Sequence, residues 1–80
     1  MDTEEQTLLS CPAGVPVKVL RVAGGAGFHL RLKNLGLVEG KTLTKVHSHP
    51  FGGPVTVRLQ HTQLAIGHGM AKRIYVEISS

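Results

Sequence analysis

The sequence predicts a mainly β domain, a small five-stranded barrel with one short helix after the first strand and a single helical turn before the last. Three observations carry that prediction. Apolar and polar residues alternate in short runs, the period of strands with one buried face. Glycine and proline clusters separate these runs, and only the segment from Phe28 to Leu35 carries a helical period. The chain has 80 residues, of which 41% are hydrophobic but only 4% aromatic, so its one core must be aliphatic. Valine, leucine and isoleucine in short runs suit strands, and a chain of this size has little material for a deep pocket.

The first strand is read from Val15 to Val22, with Val15, Val17 and Val19 on one face against Pro16 and Lys18; the early proline places its start near a sheet edge. Ala23-Gly24-Gly25-Ala26-Gly27 ends it, because glycines supply the backbone angles a reversal needs. Phe28, Leu32 and Leu35 then fall at i, i+4 and i+7, with His29, Arg31, Lys33 and Asn34 on the other face, a two-turn amphipathic helix. Gly36 stands where a left-handed residue closes such a helix, and Leu37 is placed to fold back on its apolar stripe. After a turn at Val38 to Lys41, Thr42 to His49 reads as the second strand, followed by the loop Pro50-Phe51-Gly52-Gly53-Pro54. Val55, Val57 and Leu59 alternate with Thr56, Arg58 and Gln60, and Gln63 to Ile66 returns as the hairpin partner after a tight His61-Thr62 link. Gly67-His68-Gly69 breaks the pattern, Met70 to Arg73 makes a single helical turn, and Ile74, Val76 and Ile78 mark the last strand.

Five short strands with a helix between the first two describe a partly open barrel of the SH3-like type, with the five-stranded oligonucleotide-binding barrel as the competing architecture. Residues 1–7 are expected to be a flexible acidic N-terminus and residues 8–80 the barrel domain.

The order Arg31-Leu32-Lys33-Asn34-Leu35-Gly36-Leu37-Val38-Glu39-Gly40 resembles the signature of the ferrous iron transport protein A (FeoA) family: an Arg-Leu pair, then Leu-Gly-aliphatic, then Gly three residues on. Leu8, Cys11 and Gly14 match that family's opening pattern, Ala23-Gly24-Gly25 its glycine turn, Pro50 to Val55 its proline loop, and Leu64-Ala65-Ile66 with Ala71 and Ile74 its closing strand and turn. The resemblance runs from residue 8 to 78. Three places depart from it: Gly67-His68-Gly69 replaces a polar, helix-friendly run, Lys45 stands where an aliphatic residue is common, and Gly53 replaces an aspartate. The resemblance implies the SH3-like barrel, a domain also similar to the C-terminal part of diphtheria-toxin-repressor-type metal-dependent regulators. It further implies a cytoplasmic accessory or regulatory protein of ferrous iron uptake, peripheral at the inner membrane through the transporter it serves. Its partner is then the GTP-binding iron transporter FeoB, met through protein contacts at Arg31, Lys33, Leu37, Phe51, Gly52 and Pro54.

Charge is consistent with a binding module. From residue 6 onward nine basic residues face two acidic ones, Glu39 and Glu77, a net charge of +7. Such a surface favours acidic partners, so a nucleic-acid-binding barrel is the second expectation, with Lys18, Arg21, Arg31, Lys33, Arg58, Lys72 and Arg73 as its contacts. The scarcity of aromatic stacking platforms counts against it. A third reading is a metal-responsive dimerising module. His47 and His49, at i, i+2 on one strand face, would give a half-site for a transition metal, iron or zinc, that needs further ligands from His61, His68 or a second copy. No cofactor is required by any pattern in the chain.

Catalysis is not expected, since no serine or cysteine is placed beside a base with an orienting carboxylate. Cys11 cannot form an internal disulfide and sits where packing wants a small hydrophobe. Ala23 to Gly27 lacks the Gly-Lys-Ser/Thr ending of a phosphate loop. No signal peptide pattern is present, and no apolar run approaches the ~18 residues of a membrane span.

Overall fold

A computed structural model describes residues 6–48 and 52–78. They form one antiparallel sheet of six strands with two short helices. In chain order these are β1 (Gln6–Thr7), β2 (Pro16–Val22), α1 (Ala26–Asn34), β3 (Thr42–Ser48), β4 (Val55–Leu59), β5 (Thr62–Ile66), α2 (His68–Ala71) and β6 (Ile74–Ile78). The strand order is β1-β6-β2-β3-β4-β5. The five strands expected from alternation are all present, in the SH3-like arrangement with a helix between the first two of them. The sixth, β1, lies inside the stretch expected to be flexible: Gln6 pairs with Val76 and Thr7 with Tyr75. Two residues are too few to show a period, so only the neighbouring strand reveals them.

Alternation decides what is buried. Val17 and Val19 of β2, Leu43 of β3, Val55 and Val57 of β4, Ile66 of β5 and Ile74 and Val76 of β6 all point into one core, which Leu8, Cys11, Leu32, Leu37 and Ala71 complete. Two register shifts interrupt the ladders, between Val19 and Arg21 against β6 and between Lys45 and His47 against β4. Val46 is 41% exposed, as alternation from the buried Leu43 and Lys45 requires, and at the second shift His47 after it is exposed as well. A bulge of this kind adds a residue to one strand and bends it, which helps a short sheet curl.

The helix opens at Ala26, two residues earlier than its apolar period, behind Gly25 with no side-chain cap. Its end is fully determined. Leu35 is the last residue with helical angles, Gly36 turns to φ +87°, Gly36 N–H donates to the Lys33 carbonyl (2.9 Å) and Leu37 N–H to the Leu32 carbonyl (2.8 Å). These two bonds make a Schellman motif, and its apolar contact is Leu37 against Leu32, both 1% exposed. The same reversal corrects the expected stripe: Leu35 is 39% exposed, and Leu37 takes its place in the core. Gly36→Ala is therefore expected to cost roughly 1–2 kcal/mol in urea unfolding. An L-residue is strained in that backbone region, and its Cβ would lie 3.1 Å from Leu59 Cδ2.

Two boundaries shift by a residue or more. The β4–β5 hairpin turns on Gln60-His61, with Gln60 at φ +58°, so β5 begins at Thr62. The final helical turn begins at His68, not Met70, because the Gly67 carbonyl accepts both Met70 and Ala71 N–H groups. The Gly67-His68-Gly69 run that interrupts the strand pattern thus starts the turn and brings Ala71 fully into the core.

Candidate functional site

Between α1 and the turn that follows it lies an open groove of about 320 Å³. Val22, Leu32, Leu37 and Val38 give it an apolar floor, and His29, Lys33 and Glu39 stand around it. The groove exists because the Schellman reversal lifts the chain off the helix and returns it to β2: Gly40 N–H donates to the Val19 carbonyl and Val19 N–H to the Lys41 carbonyl, each at 2.8 Å. Arg31 and Lys33 occupy the last turn of α1, where positive charge complements the negative end of the helix. Beside them Leu30 is 58% exposed, the most exposed of the large hydrophobic side chains among the described residues.

The expected contact residues divide accordingly. Arg31 and Lys33 are exposed on the helix that borders the groove. Leu37 belongs to the same place, but its side chain is buried and meets a partner only as part of the floor. Gly52, at φ +85°, and Pro54 are exposed in the β3–β4 loop. A Cβ on Gly52 would come 3.9 Å from His68 Nδ1, so this loop is grouped with α2 and does not line the groove. Phe51 lies outside the described residues. Of the expected metal pair, His47 is exposed near the end of β3 and His49 lies outside the described residues. Among the described residues no three His, Cys, Asp or Glu side chains converge, and a zinc site of the closed kind needs four ligands.

Two features of the charge distribution come from tertiary contacts. The Arg21 guanidinium lies 4.0 Å from the centre of the Tyr75 ring, and that of Arg73 5.6 Å from the centre of Phe28, within the range of cation–π attraction. Phe28 and Tyr75 are the only phenylalanine, tyrosine or tryptophan side chains among the described residues. Each has a face already taken by an arginine, which leaves poor platforms for stacking bases.

The other is Lys45, a buried cation at 4% exposure. Its Nζ donates to the carbonyls of Leu8 and Leu9, both at 3.0 Å. The loop carrying those carbonyls is itself folded: Ser10 and Cys11 N–H groups both donate to the Thr7 carbonyl. The signal was present in the sequence, since Lys45 follows Leu43 at the period of the buried face, but its partners come from 36 and 37 residues away. Cys11 is 2% exposed and its thiol donates to the Leu8 carbonyl at 3.7 Å. Burial raises the pKa of that thiol, with the Lys45 charge pulling the other way. Because the folded thiol ionises at higher pH than the unfolded one, it costs stability only as pH climbs past the ordinary thiol range. Cys11 is a core residue and an inert thiol at neutral pH.

Comparison with known proteins settles the lineage. Residues 6–78 match the FeoA domain family. The chain belongs to the FeoA family. A FeoA relative in Porphyromonas gingivalis, the Fe(2+) transport protein A/Fe(2+) transporter FeoB fusion protein, is 34% identical over 62 residues. The match covers 78% of this chain and 7% of that much longer relative. The crystal structure of an iron uptake regulatory protein, FeoA, superimposes with a TM-score of 0.84 at 30% identity, over 92% of this chain and 97% of that one. The solution structure of FeoA from Chlorobium tepidum gives 0.82 at 31% identity, over 94% and 71%. A manganese-dependent transcriptional repressor shares the fold, with a TM-score of 0.86 at 18% identity over 99% of this chain and 44% of that one. The FeoA structures support the SH3-like barrel over the oligonucleotide-binding alternative.

Proposed function

We propose that this chain is a non-catalytic accessory protein of ferrous iron uptake, working on the cytoplasmic side by direct contact with the GTP-binding iron transporter FeoB. The observation that carries this reading is the Porphyromonas gingivalis relative, which is a single polypeptide of transport protein A and the transporter FeoB. A fused module is held beside its partner at high effective concentration, and a binding surface on this domain would serve the same contact. The α1 groove is the surface best suited to it: an apolar floor, the exposed Leu30 on the same helix, and Arg31 and Lys33 to favour an acidic partner. The basic body of the domain would speed that encounter. The non-catalytic part of the reading is supported by the chemistry of the candidate groups. Cys11 is buried, and Glu39 and Glu77 sit in a turn and a strand without an adjacent nucleophile in the sequence.

The test is a binding titration of the 80-residue chain against the soluble GTP-binding part of the transporter. Leu30→Glu/Lys33→Glu, which changes only exposed positions, is expected to weaken binding at least about tenfold, a loss of roughly 1.4 kcal/mol, while circular dichroism stays unchanged. Equal affinity in the variant would move the contact away from α1. Absence of binding by the unaltered chain would sink the partnership itself.

A further inference from the structure

Among the described residues β5 is the outer strand of the sheet and pairs with β4 alone. The two-residue turn fixes which of its backbone groups face outward. Leu59 and Thr62 close the hairpin, so Thr62, Leu64 and Ile66 turn their N–H and C=O groups toward β4, and Gln63 and Ala65 turn theirs away from it. Among the described residues no backbone hydrogen bond from a loop, turn or cap reaches Gln63 or Ala65. Natural edge strands are guarded by lysine, proline, inward charges or bulges. Thr62-Gln63-Leu64-Ala65-Ile66 has no charge and no proline, and its pairing with β4 runs without a register shift.

We infer that this edge joins two copies of the chain, β5 pairing antiparallel with β5 of the second copy about a two-fold axis through Leu64. The register follows from the outward groups: Gln63 of one copy pairs with Ala65 of the other and the reverse, which uses every outward N–H and C=O. Leu64 then faces its own counterpart in a non-hydrogen-bonded pair, where Cα atoms approach to about 4.5 Å. The two faces of the joined sheet match themselves in this register. On the inner side the row runs Val57, Leu64, Leu64, Val57, apolar throughout, with Val57 fully buried and Leu64 packed against the core in each copy. On the outer side it runs Arg58, Gln63, Ala65, Thr56, so each row contains one cation and sets no like charges opposite one another.

The self-match is what selects a second copy as the occupant. The opposing force is the net charge of the chain, +4 in each copy, which acts at longer range and is screened by salt. The pairing therefore strengthens as salt rises, opposite to a contact made by charge attraction.

Sedimentation velocity of the full chain over a concentration series tests this. Expected is a mass that moves from 8.6 kDa toward twice that value with rising concentration, and further at raised salt, with slowed exchange of the Gln63 and Ala65 amides. Ala65→Pro removes an outward N–H without touching the β4 ladder, and Gln63→Lys/Ala65→Lys sets lysines opposite one another across the axis. Both variants are expected to stay monomeric with an unchanged circular dichroism spectrum. A single 8.6 kDa species up to about 1 mM, with unprotected Gln63 and Ala65 amides, overturns the pairing and leaves the edge to a strand from another protein. A dimer that persists in both folded variants overturns it equally.

Discussion

Leu37→Glu is expected to leave the domain largely unfolded at neutral pH. Leu37 is 1% exposed and supplies the apolar contact of the Schellman motif that ends α1. A carboxylate there is set among the apolar side chains of the core. It must be protonated at a cost set by a pKa raised by as much as ~3–5 units, at about 1.4 kcal/mol per unit. Loss of the leucine's own burial removes about 2 kcal/mol more. The sum rivals the roughly 5–15 kcal/mol that holds a typical domain together, and a small domain has the lesser share. Far-ultraviolet circular dichroism and amide chemical-shift dispersion would read the loss. Structure should return in part on acidification, because protonating the new carboxyl removes the buried charge. A fully dispersed spectrum at neutral pH would show that the α1 reversal does not pack as described. The practical consequence is that a contact at the groove must be probed from Leu30 and Lys33, whose replacement leaves the core intact.

Lys45→Ala is expected to lower stability by roughly 2–4 kcal/mol in urea unfolding. Two hydrogen bonds from a charged donor disappear, each of a kind that contributes about 1.5–3 kcal/mol, and relief from burying the ammonium offsets part of that loss. The carbonyls of Leu8 and Leu9 lose their Lys45 donor, and a cavity replaces the side-chain stem. The loss should be local first. The loop from Thr7 to Cys11 is held to the rest of the sheet through Lys45 and through Leu8 N–H to the Ile74 carbonyl, so Cys11 should become open to thiol reagents under conditions where the native protein resists them. Lys45→Met separates the two contributions. It fills the space and removes the cost of burying a charge, and replacing buried ions by hydrophobes of similar volume is often close to neutral. Its loss should be less than half that of the alanine variant. Equal losses would mean that the stem, not the ammonium, holds the loop.

The match between sequence and fold has a physical basis that can be read residue by residue. Val17 and Val19, Val55 and Val57, and Ile74 and Val76 alternate with polar neighbours, and each pair is buried because strand geometry sends successive side chains to opposite faces. Gly36 and Leu37 announce the end of α1 by chemistry local to a few residues. These signals need no knowledge of the rest of the chain, and together with the turns they define the FeoA pattern. The candidate site was legible only in part. Arg31 and Lys33 lie on the expected exposed helix, whereas Leu37 turned inward and Leu30, absent from the apolar stripe, became the exposed leucine.

The five strands β2 to β6 and α1 with its stop follow from short-range periodicity and ordered turns, and the basic character from composition. Tertiary contacts decided the rest: β1, whose two residues are a strand only against β6; the register shift between Lys45 and His47; the arginines over Phe28 and Tyr75; the ammonium of Lys45 on the carbonyls of Leu8 and Leu9; and the bare edge of β5. Each of these depends on which distant segments meet. Local pattern fixes the direction of a side chain, but its partner is chosen only when the sheet closes around the core.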